Sequence, residues 1–191
     1  MPQENIDFGK YGASGIKGSE AAARQLDNLA GGIQTPAGER RGMLARLNYL
    51  TKSGRAKGAA RAAGFDVSER TMKKWRDGTS KPSKKSIEKL EGAYKRVRRS
   101  NVAKSLTTRL NKGGRGTRVE MHPMNQSQVS RPLQRAISHR NVNVRNWGPI
   151  VEAWEAENPQ ALSDAWQNGV LVELGSDWGS YEYVTNVGFA A

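Results

Sequence analysis

Ala59-Ala60-Arg61-Ala62-Ala63-Gly64-Phe65-Asp66-Val67-Ser68-Glu69-Arg70-Thr71-Met72-Lys73-Lys74-Trp75 is the stretch on which the fold turns. Small side chains over 56–63 let a neighbouring helix approach closely, and Gly64 permits a sharp change of direction. Ser68 is a good N-cap for a helix over 69–76 that stops at Asp77-Gly78. At helical spacing Val67, Thr71, Met72 and Trp75 share one face, leaving Glu69, Arg70, Lys73, Lys74 and Arg76 on the other. A helix-turn-helix requires this pattern: one face packed, the opposite face carrying long polar side chains towards base edges. The 64–68 interval is about two residues longer than a tight turn needs. Either the turn is extended or Gly64 lies inside a longer preceding helix.

Upstream, Met43, Leu44, Leu47 and Leu50 fall on one face of a predicted helix that begins at Arg41 and ends near Ser53-Gly54. Downstream of Gly78-Thr79-Ser80-Lys81-Pro82, Ser83 caps a long basic helix. Ile87, Leu90, Tyr94 and Val97 form its packed face, while Lys84, Lys85, Lys89, Lys95 and Arg96 lie elsewhere. Residues 40–99 are therefore expected to form a helix-turn-helix DNA-binding domain. The charge agrees: the chain carries a formal +13, and from Arg40 to Arg118 there are 24 Lys and Arg against 5 Asp and Glu. Trp147 to Ala191 holds 7 acidic residues and neither Lys nor Arg, so that part does not grip phosphate in the same way. Each phosphate neutralised by a cation releases condensed counterions, which makes a polyanion the expected partner. The expected DNA contacts are Ser68, Glu69, Arg70, Lys73, Lys74, Arg76, Lys81, Lys84 and Lys85. Arg70 is suited to fork onto guanine O6 and N7 while the lysines hold phosphates.

The remaining segments are read from composition and pattern. Residues 1–39 hold seven glycines and few large apolar groups, which predicts a flexible tail. Within it, Ser19 is placed to cap a short helix through Ala22, Leu26 and Leu29. Residues 100–116 read as a basic linker, with a helix to Leu110 as one option, that finishes in Lys112-Gly113-Gly114-Arg115-Gly116. Residues 117–191 read as a small α+β domain with an acidic C-terminal half. Strands are expected over 117–122 and 141–145, with a helix over 132–138 between them. Pro149 and Pro159 open helices over 150–157 and 160–167, and 170–174 with 181–187 suggest a hairpin. The fold class is thus α+β: an N-terminal helical domain followed by a small mixed α/β domain.

Several chemistries are excluded. The chain has no cysteine, hence no disulfide, thiol nucleophile or thiolate metal site. Its two histidines, His122 and His139, lack metal-ligand spacing, so no metal and no cofactor are expected. No nucleophile elbow, phosphate loop or dinucleotide fingerprint appears, and no residue is assigned a catalytic role. No apolar run is long enough to span a bilayer, and Met1 to Lys17 lacks the order of a secretion signal. A cytoplasmic, nucleoid-associated protein is expected.

The run Val67-Ser68-Glu69-Arg70-Thr71-Met72-Lys73-Lys74-Trp75-Arg76-Asp77-Gly78, followed by Lys81-Pro82 and the charged helix from Ser86 to Arg99, resembles the amino-terminal part of the telomere-protecting terminal proteins of linear bacterial chromosomes and plasmids. The similarity covers about a third of the chain, and its motifs are shared with many helix-turn-helix repressors. The resemblance implies a protein that binds replicon ends and primes their replication, a side-chain hydroxyl accepting the first nucleotide and remaining joined to the 5′ end. The comparable loop here is Asn125-Gln126-Ser127-Gln128-Val129-Ser130-Arg131-Pro132, which offers Ser127 and Ser130 where the family uses threonine. The implied partners are double-stranded or telomeric DNA, a DNA polymerase that supplies the catalysis, and a telomere-associated protein. A second copy of the chain is a further candidate. The alternative reading is a noncovalent regulator of a plasmid or phage that dimerises through its acidic part.

Overall fold

The structure, a computed structural model, describes residues 8–190. In chain order the elements are β1 (Ile16–Lys17), α1 (Gly18–Ala30), α2 (Arg40–Thr51), α3 (Gly54–Ala62), α4 (Glu69–Asp77), α5 (Lys84–Asn111), β2 (Thr117–Pro123), β3 (Arg140–Val144), α6 (Gly148–Glu155), α7 (Pro159–Gly169) and β4 (Tyr183–Phe189). Single 3-10 turns lie at Lys112–Gly114 and Arg131–Leu133, and a longer 3-10 segment spans Leu171–Ser180. The class is α+β. Two compact units are formed, one by Ala30–Val102 and the other by the residues up to Leu29 together with those from Ala103 onward.

The helical unit closes around Met43, Leu47, Leu50, Phe65, Met72, Trp75, Leu90, Tyr94 and Val97, the apolar stripes of α2, α4 and α5 turned towards one another. A strap over 33–38 crosses α2 at Gly42, where an added Cβ would collide with the Pro36 carbonyl. Arg46, only 4% exposed, fastens it. Its guanidinium donates to the carbonyls of Thr35 (2.7 Å), Ile33 (3.1 Å) and Gly42 (3.1 Å), pairs with the Glu91 carboxylate and lies over the Tyr94 ring.

The second unit holds a four-stranded antiparallel sheet in the order β1-β4-β2-β3. Strand alternation buries Val119 and Met121 of β2, Val142 and Val144 of β3, and Val184 and Val187 of β4 on one face. The helices contribute Leu26, Ile150, Val151, Trp154, Leu162 and Trp166 to the interior. Trp154 Nε1 donates to Asp27 Oδ1 at 3.0 Å, and Trp147 packs edge-on to Phe189 with centroids 4.8 Å apart.

Four expectations are corrected. From residue 8 onward the glycine-rich opening is not an unpacked tail: β1 pairs with β4, and α1 buries Ala21, Ala22 and Leu26, small side chains packing where hydropathy shows little. Residues 1–7 of that expected tail lie outside the described residues. The 100–116 linker is helical to Asn111, because Ala103, Leu106 and Leu110 continue the buried stripe of α5. The expected helix over 132–138 is one 3-10 turn. The segment 170–174 is not a strand: Leu171 opens a 3-10 segment to Ser180, and Tyr183 and Val184, which a hairpin would reach first, are paired with β1. The remaining predicted strands and helices of this unit are present within two or three residues of their expected bounds.

Candidate nucleic-acid interface

The order α3, turn, α4 is present, and the turn is the extended one. Helix α3 ends at Ala62, and Gly64 lies beyond it with φ at +89°, a conformation glycine adopts without a Cβ penalty. The Gly64 N–H donates to the Arg61 carbonyl and the Phe65 N–H to the Ala60 carbonyl, each at 2.9 Å. Phe65 then drops into the core and anchors the turn. Ser68 caps α4, its Oγ accepting from the Thr71 N–H at 3.2 Å. Met72 and Trp75 seat α4 from below. At the far end Gly78 takes the left-handed conformation at φ +78°, and Arg40 donates to the Arg76 carbonyl (2.6 Å) and the Trp75 carbonyl (3.4 Å). The helix is thus fixed at both ends and along its inner face.

Of the nine expected contacts, six point away from the core. Arg70, Lys73 and Lys74 on α4, Lys81 in the following turn, and Lys84 and Lys85 in the first turn of α5 are all exposed. Among the described residues none of the six has a side-chain hydrogen bond or ion pair. Their arrangement works against the stability of the helices. Arg70 and Lys74 are like charges at i,i+4, worth a few tenths of a kcal/mol in the wrong direction, and Lys84 and Lys85 oppose the positive end of the α5 dipole. A phosphate placed there reverses the sign of both effects.

The other three have tasks within the protein. Ser68 is the cap. Glu69 pairs with Lys57 of α3 at 2.5 Å across the turn, and the Lys57 hydrogen bond and charge hold its carboxyl below the ordinary range. Arg76 is half-buried and donates to Thr51 Oγ1 at 2.7 Å. Outward placement of Arg76 is therefore corrected, because it is half-buried against Thr51 of α2, whereas Glu69 does stand on the exposed face, where Lys57 of α3 engages it. Sequence reasoning missed Arg40, Arg46 and Lys57, whose partners lie too far along the chain for any local spacing to mark.

Ser127 and Ser130 lie in the other unit, on the exposed loop between β2 and β3. That loop is clasped. Gln126 Oε1 accepts from the Arg135 N–H (2.8 Å) and its Nε2 donates to the Arg135 carbonyl (2.9 Å), while Gln134 Nε2 donates to the Val129 carbonyl (2.7 Å) above a buried Val129 side chain. Asn125 is bridged to Ser14, and its Oδ1 accepts from the Ser127 N–H at 2.8 Å. Ser130 precedes the Arg131–Leu133 turn yet makes no capping hydrogen bond through its side chain. Among the described residues no group of three or more His, Asp or Glu is placed to hold a metal, and no helix is long and apolar enough to cross a membrane. Comparison with protein-family models, with curated proteins and with solved structures found no match to the chain.

Proposed function

We propose that the chain binds duplex DNA with α4 in the major groove and acts as the terminal protein of a linear replicon, Ser127 or Ser130 of the 125–132 loop accepting the first nucleotide. The observation that carries the DNA reading is the set of six exposed, uncommitted cations on α4, the following turn and the start of α5. Arg70 forks onto a guanine, and Lys73, Lys74, Lys81, Lys84 and Lys85 neutralise phosphates on either side of the groove. The Lys57–Glu69 pair keeps the one carboxylate at the front of α4 from repelling the backbone.

The priming step needs an accessible hydroxyl at a defined position. Ser127 and Ser130 are exposed on a loop that the Gln126 and Gln134 side chains hold in shape, and the Ser130 hydroxyl is not used as a cap. The serine Oγ attacks the α-phosphorus of a deoxynucleoside triphosphate. An Oγ–P bond forms, the bond to pyrophosphate breaks, and the hydroxyl proton passes to a base or water in the polymerase, whose metal ions activate the attack.

The test is covalent. Incubation with α-labelled nucleotide and host polymerase is expected to label the wild-type chain and to leave a Ser127→Ala, Ser130→Ala double variant unlabelled. An unlabelled wild-type chain, together with protection of internal palindromes in footprints, would replace this reading with that of a noncovalent regulator.

A further inference from the structure

The sheet covers only one of its faces. On the other, Arg118 and His122 of β2 and Asn141 and Asn143 of β3 stand exposed, in register as cross-strand neighbours Arg118↔Asn143 and Glu120↔Asn141. Tyr183 of β4 alternates onto this same side, its ring stacked on Phe8 with centroids 3.6 Å apart and planes 6° from parallel. The imidazoles of His122 and His139 lie near-parallel, 27° apart in plane, with centroids separated by 6.3 Å. Asn143 also belongs to the wall of a cavity of about 820 Å³ beside β3, where Arg145, Asn146, Asn168 and Glu173 gather. Asn143 is thus common to the open face and the cavity.

This combination of side chains suits one class of partner. Planar rings offer stacking platforms, primary amides match the in-plane donors and acceptors of base edges, and a carboxylate accepts from an exocyclic base amine. Arginines hold phosphate, and Arg145 is exposed with no carboxylate partner among the described residues. Arg118 pairs with Glu120 at 2.7 Å and Arg140 with Asp177 at 2.8 Å, but both pairs are solvent-exposed and yield readily to a phosphate. A duplex stacks the faces of its bases on one another and uses up their Watson–Crick edges in pairing. An unpaired strand presents both.

We propose that the open sheet face and the cavity at its β3 edge bind an unpaired nucleic-acid strand. Its phosphates lie along Arg118 and Arg145, its bases stack on His122, His139 and Tyr183, and one base enters the cavity against Asn146, Asn168 and Glu173. This site is separate from α4 and does not depend on the duplex reading.

The full chain is titrated, by fluorescence anisotropy, into a labelled single strand of about 20 nucleotides that cannot pair with itself, and into the blunt duplex of the same sequence. A His122→Ala, Asn141→Ala, Arg145→Ala variant is expected to lose roughly tenfold or more in single-strand affinity while its duplex affinity changes by less than about twofold. Arg70→Ala, Lys73→Ala gives the reverse, so failure of the strand site and failure of the duplex reading are told apart. Irradiation of wild-type chain with a 5-iodouracil-substituted strand provides a readout independent of the variants, with cross-links expected in peptides bearing His122 or Tyr183. Absence of single-strand binding by the wild type, equal loss of both affinities in the triple variant, or cross-links confined to residues 70–85 would each overturn the proposal.

Discussion

Arg46 has three carbonyls and a carboxylate about its guanidinium inside the helical unit, and no neutral side chain of similar length can serve them all. Arg46→Met is expected to lower stability by about 2–4 kcal/mol, because the carbonyls and Glu91 lose their donor. Arg46→Lys recovers little of this, since one ammonium does not span the three acceptors. Urea unfolding followed by circular dichroism measures both. At Glu69 the folded-state carboxyl titrates below its unfolded value, so pairing with Lys57 stabilises the protein above the ordinary carboxylate range and is lost as the pH falls through the lowered value. Lys57→Met is expected to return Glu69 to the ordinary range in an NMR titration. It also leaves an unpartnered carboxylate on α4, which should weaken duplex binding in the same sample. At this scale the sequence was legible where a contact is local, as in the Ser68 cap reaching three residues ahead. It was opaque for Arg40, whose acceptors on α4 lie 35 and 36 residues downstream.

Helix α2 depends on a residue that contributes nothing to its apolar stripe. At Gly42 the 33–38 strap lies directly on the helix, and Gly42→Ala is expected to lift the strap and cost about 1–3 kcal/mol, read as a lower thermal midpoint. Elements with strong periodicity were legible. Helices α2, α4 and α5 show theirs in Met43, Leu47 and Leu50, in Met72 and Trp75, and in Leu90, Tyr94 and Val97. The Val170-Leu171-Val172-Glu173-Leu174 run misled because its composition favours a strand, whereas tertiary structure decided otherwise. Val170 and Leu171 are buried, Val172 is 60% exposed, and the start of β4 at Tyr183 and Val184 is already paired with Lys17 and Ile16. Helix α1 was legible in the spacing of Ala22, Leu26 and Leu29, but its packed setting was not. Gly18, Ala21 and Ala22 pack by being small, and an added Cβ at Gly18 would come within 2.6 Å of Trp166 Nε1.

Across the whole molecule, charge segregation was the clearest message of the sequence, and it sets a measurable salt dependence. With the five outward lysines on phosphate, the logarithm of the duplex association constant should fall with the logarithm of salt concentration at a slope of about −4.5, and removing Lys84 or Lys85 should reduce that slope by about 1. Anisotropy titrations over a range of potassium chloride check both values. Pattern reading did not show that residues 8–29 belong with those beyond 103, because the Ile16↔Val184 register joins segments that nothing local connects. On the ribosome, β1 and α1 emerge well before β4 and must wait for it, while the helical unit between them gathers from near neighbours. A polypeptide beginning at residue 103 is therefore expected to stay unfolded when expressed alone, and a separate peptide covering 8–29 should rescue it, as seen by tryptophan fluorescence of Trp154 and Trp166. The early segment is in effect a stored part, usable only once β4 has been made.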